Sequence, residues 1–256
     1  MTFNKIVGHD FKMNNKDVKS LIIGLKRVIV MDKDISISIV TYNSSDEISE
    51  VLDSIINSNQ AERLDVYVVD NNSSDNTTSV VESHYPQINL MKLSKNVGFG
   101  KGHNKVIENS KSKYHIIINP DITFKSDVIC EMTEFMDRNP EIVITTPKIL
   151  NDDGTEQFLP KRNPKIRYFL GGRFEKYGGV FSKWRSEYTR SNENIQDVVE
   201  IDFCTGCFMF AKTEALKSVG GFDKRYFLHF EDADITREIK KIGRTVYNPQ
   251  FKVNHS

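Results

Sequence analysis

One carboxylate in the sequence follows directly on an apolar run. Residues 114–118 are predicted to form a buried strand, and the turn Asn119-Pro120-Asp121 comes next. Because proline restricts the backbone of this turn, Asp121 is held at the carboxyl end of the strand. A Mg²⁺ or Mn²⁺ ion that bridges a diphosphate needs one or two carboxylates, with phosphates and water in its other positions. Asp121 is therefore a candidate metal ligand, and the alternative is a residue that only forms the turn or caps a helix.

Three more carboxylates, Glu231, Asp232 and Asp234, lie near the start of a helix predicted over residues 232–242. They follow an aromatic segment, 227–230, that we predict to be a strand. Acidic side chains stabilise the N-terminus of a helix through its dipole, which is one explanation for the cluster. The other is that one of them acts as a general base, a role that accelerates a reaction by roughly 10²–10⁴-fold.

Two further polar segments are suited to binding a phosphorylated nucleoside. Asp70 and residues 71–74 follow the predicted second strand and can accept hydrogen bonds from a base and a ribose, although such residues also form ordinary turns. The glycine-rich segment 96–104 precedes a helix predicted over 102–109, and its backbone N–H groups can cradle a phosphate. Its spacing fits neither a dinucleotide fingerprint nor a P-loop, so a flexible glycine turn stays an alternative.

The elements that must position these residues alternate between strands and helices. Strands of β-branched and apolar residues are predicted at 35–40, 64–69, 88–93, 114–118 and 142–145, with helices from Asp46 and over 77–83 and 127–138 between them. This alternation predicts an α/β fold with a mostly parallel central sheet and helices on both faces. Ligands of such sheets bind at the carboxyl ends of the strands, where the polar residues lie.

The chain is predicted to contain an N-terminal extension, 1–34, and one main domain, 35–256. Apolar residues at helical spacing from Asp17 predict an amphipathic helix in the extension, which packs on the main domain or on a second subunit, or rests on a membrane. Residues 148–198 lack the alternation and are predicted to be a long, partly irregular insertion. Beyond them we predict strands at 200–211, 245–247 and 251–253 and a short helix at 213–218.

The composition argues against several classes of protein. Lys plus Arg and Asp plus Glu both number 35, so the basic excess of a nucleic-acid binder is absent. Cys130, Cys204 and Cys207 are too few for a disulfide framework, and the last two lack the further ligands of a zinc site, which predicts buried thiols. Without a signal peptide or an apolar run of the ~20 residues that cross a bilayer, we predict a soluble, cytoplasmic protein.

The order of the motifs along the chain resembles that of family 2 inverting glycosyltransferases, which have the Rossmann-like GT-A fold. The motifs are Thr-Tyr-Asn after the first strand, Asp-Asn-Asn-Ser-Ser-Asp after the second, then Asn-x-Gly-Phe-Gly, Asn-Pro-Asp, Gly-Gly-Phe-Asp and Glu-Asp-x-Asp. The resemblance covers residues 35–255 and is strongest to bacterial rhamnosyltransferase-type members, which build O-antigens and cell-wall polysaccharides. It implies a nucleotide-sugar-binding half, 35–147, and an acceptor and catalytic half, 148–256, with a smaller β and irregular portion.

The resemblance also implies roles for single residues. The donor nucleotide sugar is assigned to Thr41, Tyr42, Asn43, Asp70, Asn72, Asn96, Gly98, Phe99, Asn104, Asn119 and Gly206. Asp121 and His255 are the implied ligands of Mg²⁺ or Mn²⁺, and Asn119 replaces the first carboxylate of the family's Asp-x-Asp motif. Asp232 is the implied catalytic base and Glu231 its acidic neighbour. The family pattern continues beyond His255, which is the penultimate residue here.

The implied reaction moves rhamnose or another hexose from a dTDP- or UDP-sugar to a saccharide or polyprenyl-linked acceptor. Such an acceptor would bring the enzyme to the inner face of the cell membrane, and residues 148–198 are a candidate acceptor-binding lip. Two alternatives stay open at this point. A nucleotidyltransferase would carry a glycine-rich basic loop after the first strand, where Thr41-Tyr42-Asn43 lies instead. A non-catalytic relative that only binds nucleotide sugars would not need both Asp121 and Asp232.

Overall fold

The computed structural model describes residues 33–158, 161–163 and 165–255, all within the compact unit Lys33–Ser256. The amphipathic helix predicted in residues 1–34 lies outside the described residues. The strands are β1 Ile35–Thr41, β2 Leu64–Asp70, β3 Asn89–Lys92, β4 Tyr114–Ile118, β5 Ile122–Phe124, β6 Ile142–Leu150, β7 Val199–Glu200, β8 Phe208–Lys212 and β9 Arg244–His255. The helices are α1 Ile48–Ile56, α2 Thr77–His84, α3 Phe99–Ile107, α4 Val128–Arg138, α5 Ile166–Phe174, α6 Val180–Thr189, α7 Thr213–Ser218 and α8 Glu231–Ile239.

The strands form one sheet in the order β3-β2-β1-β4-β8-β6-β9-β5, and β7 pairs with β9. Strands β3, β2, β1 and β4 are mutually parallel, as are β6 and β9. Strand β8 runs antiparallel to both of its neighbours, and β5 and β7 run antiparallel to β9. The predicted α/β fold with a mostly parallel sheet is therefore confirmed, and the carboxyl ends of β1, β2 and β4 meet at one edge.

Alternate residues of the central strand β4 belong to different hydrophobic clusters. Ile116 and Ile118 pack in one cluster with β1 and α1, whereas Ile117 packs in the other with α7 and α8. Successive side chains of a strand point to opposite faces, so the sheet is covered on both sides. This double burial explains why the strand is mostly apolar, with His115 as its one polar side chain. It also holds the turn after β4 on a rigid base.

A chain of polar side chains crosses this apolar core. Ser36 bonds His115 Nδ1 at 2.6 Å, His115 Nε2 bonds Ser38 at 2.8 Å, and Ser38 bonds His103 Nδ1 at 2.7 Å. Burial lowers the pKa of His115 to about 3 and places the pKa of His103 well below its ordinary value, with the neighbouring His115 adding to the latter effect. Both rings are therefore neutral in the folded protein, and each tautomer is set by its serine partners.

These two histidines should make the protein less stable in mild acid. Below about pH 6.5 the unfolded chain binds a proton at each ring that the folded chain excludes, so stability falls as the pH falls. Between pH 7.5 and pH 5.0 each histidine should cost about 2 kcal/mol of unfolding free energy. Urea unfolding of His115→Gln at the two pH values should show a decline smaller by about that amount. The exposed His84→Gln is the control, and an equal decline in His115→Gln would contradict this account.

Several predicted elements were wrong. The region 148–198 contains the helices α5 and α6. Helix α5 includes two glycines, and both helices leave apolar residues on the surface, so helical periodicity is weak. The segment 200–211 is not one strand, because residues 201–207 separate β7 from β8. The segment 227–230 is a loop rather than a strand, and β9 is continuous where two short strands were predicted. Among the described residues, no helix combines the length and apolar character needed to span a membrane.

Candidate active site

The structure brings together the two predicted metal ligands. Asp121 follows β4, and His255 ends β9 beside Ile122 of β5, so the two side chains come from neighbouring segments. His255 Nε2 lies 3.1 Å from Asp121 Oδ2, and His255 Nδ1 lies 2.8 Å from Gln157 Oε1. The hydrogen bond to Asp121 raises the pKa of His255. Because Gln157 Oε1 can only accept, the ring carries a proton on Nδ1 and directs Nε2 at Asp121.

One atom of this pair has no partner among the described residues. Asp121 Oδ1 is buried and accepts no hydrogen bond from them, which is costly for a carboxylate oxygen unless a further group binds there. A carboxylate oxygen is a ligand that suits both Mg²⁺ and Mn²⁺. The described part of the chain contains no cluster of three or more His, Cys, Asp or Glu side chains that could hold a metal. A metal at Asp121 would therefore rely on phosphate and water for most of its coordination.

The loops after β1 and β2 are bound to each other by side chains. Thr41 Oγ1 donates to Asp70 Oδ1 at 3.2 Å, and Asp70 also accepts hydrogen bonds from the backbone N–H and hydroxyl of Ser73. Asn43, with a positive φ of 55°, accepts from the backbone of Ser74 through its side chain. These contacts place the predicted nucleoside ligands Thr41, Asn43 and Asp70 together, with Tyr42 and Asn72 exposed beside them. The site is thus pre-formed at the strand ends.

Asn71, which belongs to the polar segment predicted after the second strand, connects this region to the glycine-rich segment. Its side-chain amide donates to Gly98 O at 3.3 Å, and its oxygen accepts from Val97 N at 3.3 Å. Asn96 accepts from Gly98 N at 2.9 Å, so the backbone before α3 is held on two sides. Asn71 is 3% exposed, which is unusual for an asparagine in a simple surface turn.

Gly98 is required where the glycine-rich segment meets the loop before α8. Its φ is 90°, and a Cβ built there would lie 2.2 Å from Phe227 O. The next residue, Phe99, donates its N–H to that same oxygen at 3.2 Å. The contact holds the loop 227–230 against the start of α3, and the predicted helix start at residue 102 was too late because α3 begins at Phe99.

Gly98→Ala should destabilise the protein more than a matched glycine substitution elsewhere. Gly154 also has a positive φ, 79°, but nothing lies within 4 Å of its built Cβ. Both alanine variants pay for the left-handed backbone, whereas only Gly98→Ala must also displace Phe227. We expect the difference in unfolding free energy to be about 1–3 kcal/mol by urea titration. Equal effects of the two substitutions would show that the Phe227 contact is dispensable.

Asn104, predicted to line the donor pocket, has both ends of its amide bonded to the main chain of Phe222. Its Nδ2 donates to Phe222 O at 2.7 Å, and its Oδ1 accepts from Phe222 N at 2.9 Å. The ring of Phe222 in turn packs against Gly100 and lies 5.7 Å from the ring of Phe99. Asn104 therefore fixes the Gly-Gly-Phe-Asp turn to α3, and a contact of its amide with the donor stays a prediction.

The predicted base, Asp232, is held by two backbone N–H groups at the start of α8. Gly206 N donates to Oδ2 at 3.2 Å, and Ala233 N donates to Oδ1 at 2.9 Å. Burial raises the pKa of Asp232, although these hydrogen bonds and the charge of Lys161 act in the opposite direction. A raised pKa makes a carboxylate a stronger base near neutral pH. Asp232 is thus fixed in position and suited to accept a proton.

The loop 204–207 connects the predicted base, Asp232, to the turn Asn119-Pro120-Asp121. Gly206 binds Asp232, and Asn119 N donates to Cys207 O at 3.0 Å. A Cβ on Gly206 would lie 2.8 Å from the ring of Phe99, so that ring packs closely on the loop. Both thiols of the loop are buried, and burial raises the pKa of Cys207 to about 11. The prediction that these cysteines are structural agrees with this environment, because a reactive thiol needs a lowered pKa.

Lys161 lies near the predicted base, Asp232, and was not predicted from the sequence. Burial lowers the pKa of Lys161, and the nearby Arg185 adds to this, whereas the charge of Asp232 acts in the opposite direction. Its Nζ lies 6.0 Å from the ring centroid of Tyr188 and 5.8 Å from that of Phe203. Burial also raises the pKa of Tyr188, and the charge of Asp232 contributes. Lys161 and Tyr188 come from the region predicted to be an irregular insertion, where no local motif marks them.

Glu231 is less exposed to solvent than Asp232. Its Oε2 is buried and accepts no hydrogen bond from a described residue, and burial raises the pKa of the carboxyl. The two preceding residues, His229 and Phe230, both have positive φ values, 74° and 70°. Such backbone strain in non-glycine residues is found where the surrounding structure imposes it, and it is common at functional sites. This turn precedes α8, whose first residue, Glu231, is buried and whose second, Asp232, accepts a hydrogen bond from Gly206 N.

Comparisons with known proteins identify the family of this chain. The family model described as glycosyl transferase family 2 matches residues 36–220. The chain is 26% identical to the N-acetylglucosaminyl-diphospho-decaprenol L-rhamnosyltransferase of Mycobacterium tuberculosis, over 84% of this chain and 74% of that protein. It is 25% identical to the rhamnosyltransferase WbbL of Escherichia coli K12, over 86% of this chain and 82% of that protein.

The fold is also similar to that of solved glycosyltransferases. The crystal structure of GalNAc-T7 with UDP, GalNAc and Mn²⁺ matches with a TM-score of 0.64 and 13% identity, over 86% of this chain and 43% of that chain. This likeness identifies the sheet and its helices as a GT-A fold. Since the family model covers most of the chain, the protein belongs to glycosyl transferase family 2 and is a glycosyltransferase.

Proposed function

We propose that the protein transfers a sugar, with inversion, from a nucleoside-diphosphate sugar to a saccharide or lipid-linked saccharide acceptor. The observation that carries this proposal is that one loop connects Asp232 to the turn Asn119-Pro120-Asp121. Asp232 accepts a hydrogen bond from Gly206 N, and the next residue of the same loop, Cys207, accepts one from Asn119 N through its carbonyl oxygen. An acceptor hydroxyl and a leaving diphosphate need groups of these two kinds within one site.

Asp232 supplies the proton acceptor in this scheme. The acceptor hydroxyl gives its proton to Asp232 while its oxygen attacks the anomeric carbon of the donor sugar. The new carbon–oxygen bond forms on the face of the anomeric carbon opposite the diphosphate. The bond between that carbon and the diphosphate oxygen breaks, and the nucleoside diphosphate leaves with the electron pair of the bond. One displacement inverts the anomeric configuration, and no covalent enzyme intermediate is needed, unlike in a retaining glycosidase.

The donor would lie along the edge formed by β1, β2 and β4. Thr41, Asn43 and Asp70 offer hydrogen-bonding groups for a base and ribose, and Asn96, Gly98 and Phe99 border the next stretch of the site. Asp121 and His255 would hold Mg²⁺ or Mn²⁺, which when bound neutralises negative charge on the leaving diphosphate. The unpartnered Asp121 Oδ1 supports this assignment.

The names of the relatives suggest the class of substrate. Two of the similar proteins are rhamnosyltransferases, and one acts on an N-acetylglucosaminyl-diphospho-decaprenol. We therefore propose dTDP-rhamnose as the leading donor, UDP-hexoses as the next candidates, and a polyprenyl-linked saccharide as the acceptor. Such a role belongs to cell-surface polysaccharide synthesis and would place the enzyme at the inner face of the cell membrane.

Thermal stabilisation by a panel of nucleotide sugars tests this proposal. A ligand that binds only the folded state raises the melting temperature. At a ligand concentration 100 times its Kd, the free energy of unfolding increases by about 2.7 kcal/mol. We expect one dTDP- or UDP-sugar to raise the melting temperature, and Mn²⁺ to increase that shift. Thr41→Val, which removes the hydroxyl bonded to Asp70, is the matched binding variant and should show a smaller shift. The absence of a shift with every donor would contradict the proposal.

A further inference from the structure

The helices α5 and α6 and the turn between them, here called the α5–α6 hairpin, expose an unusual amount of apolar surface. Ile166 is 84% exposed, Phe169 and Tyr177 are each 68% exposed, and Val180 is 49% exposed. Exposed apolar residues that cluster in this way mark a binding surface rather than a region left in water. The hairpin therefore needs a partner that covers it.

The same segment carries a net positive charge. Residues 165–189 contain six Lys or Arg and two Glu, a net charge of +4, although the whole chain is neutral. Lys165, Arg173, Lys176 and Lys183 are exposed, and none of them forms an ion pair with another described residue. A surface that is both apolar and cationic complements the headgroup region of an anionic bilayer.

Aromatic residues strengthen this comparison with a membrane interface. The ring of Phe181 lies 5.5 Å from that of Phe174 and 5.7 Å from that of Trp184. Phe174 also lies 6.2 Å from Tyr177. Amphipathic aromatic rings are favoured at the level of the lipid headgroups, where one end is apolar and the other meets water.

A second copy of this chain fits the surface less well. A symmetric dimer through the hairpin would place the same patch against itself, so two surfaces of net charge +4 would face each other. Like charges at such short range oppose association. The charge thus favours an anionic partner over self-association.

We propose that the α5–α6 hairpin is a membrane-docking surface that binds anionic lipid headgroups. The hairpin is continuous with the catalytic region, because a cavity of about 570 Å³ is lined by Lys165, Phe169, Arg173, Arg185, Tyr188 and Phe230. Phe230 directly precedes Glu231 and Asp232, and the charge of Asp232 reaches Tyr188. Docking would therefore bring the catalytic base to the lipid surface. This inference rests on the proposed lipid-linked acceptor for its purpose, but vesicle binding is measured without any transfer.

Co-sedimentation of the full chain with vesicles tests the proposal. Binding to vesicles containing phosphatidylglycerol should exceed binding to pure phosphatidylcholine vesicles and should weaken as salt is raised. Each Lys or Arg near an anionic surface strengthens binding about fivefold, so Lys176→Gln with Lys183→Gln should weaken it roughly 25-fold. The exposed lysines Lys105 and Lys111 are the matched controls, and their double Gln variant should bind as the wild type does.

Several results would overturn this inference. Undiminished vesicle binding by the Lys176 and Lys183 variant would assign the membrane contact to another part of the chain. Absence of binding to anionic vesicles would contradict the proposal directly, and a dimer that Phe169→Ser dissociates would show that a second copy covers the surface. Donor stabilisation of the same variants separates the two proposals, because a retained melting shift with failed vesicle binding would leave the proposed transfer intact.

Discussion

Asp232→Asn should lower the turnover of sugar transfer by about 10²–10⁴-fold while donor binding survives. The substitution keeps the shape of the side chain but removes the group that accepts the acceptor proton. The amide NH₂ of the asparagine would face either Gly206 N or Ala233 N, and two donors cannot bond to each other. The melting temperatures of the variant and the wild type must therefore be compared to separate a loss of stability from a loss of catalysis. Release of nucleoside diphosphate measures turnover, and calorimetric titration with the donor measures binding.

The matched control for this prediction is Asp234→Asn on the same helix. Asp234 pairs with Arg237 at 2.7 Å and has no contact with the 204–207 loop among the described residues. We expect its turnover to stay close to that of the wild type. Unchanged turnover in Asp232→Asn would remove the base assignment, because the proton would then have to go to another group.

Asp121→Asn should reduce activity by about 10²-fold or more and should abolish stimulation by Mn²⁺. Asparagine lacks the charge that holds a divalent cation, and the His255 ring loses its carboxylate partner. Activity measured across a Mn²⁺ titration, together with Mn²⁺ binding in the presence of UDP, reports the effect. Asp127→Asn is the control, since Asp127 is an exposed carboxylate in the same region.

Two outcomes would contradict the metal assignment. If Asp121→Asn retained a normal Mn²⁺ response, the ion would be bound elsewhere. If the wild type bound UDP equally well with and without divalent cations and showed full activity in a chelator, Asp121 and His255 would instead form a structural ion pair. Their 3.1 Å contact is compatible with either arrangement before a cation is added.

The central strands were predictable because their local preferences and their environment agree. Strand β4 was predicted over residues 114–118 and is observed at Tyr114–Ile118, and β2 differs from its prediction only by Asp70. Runs of β-branched residues buried on both faces leave little choice of structure. The polar residues after these strands were predictable for the same reason, since the strand ends determine where they meet.

The elements around the acceptor side were not predictable from local patterns. The loop 227–230 is rich in aromatic residues, which favours a strand, yet Phe227 O is used by Phe99 N across the site. Helix α5 exposes Ile166 and Phe169, so its apolar residues do not form the buried stripe that marks an amphipathic helix. Lys161 acquires its place near Asp232 only through long-range contacts, and it belongs to no distinctive local motif.

The anomeric configuration of the product tests the central claim most directly. The donor selected by the stabilisation panel would be incubated with a saccharide acceptor, and the new glycosidic linkage would be followed by NMR. A single displacement assisted by Asp232 predicts a product whose anomeric configuration is opposite to that of the donor, with one nucleoside diphosphate released per bond formed. Retained configuration, or release of the nucleoside diphosphate without a new linkage, would contradict this account.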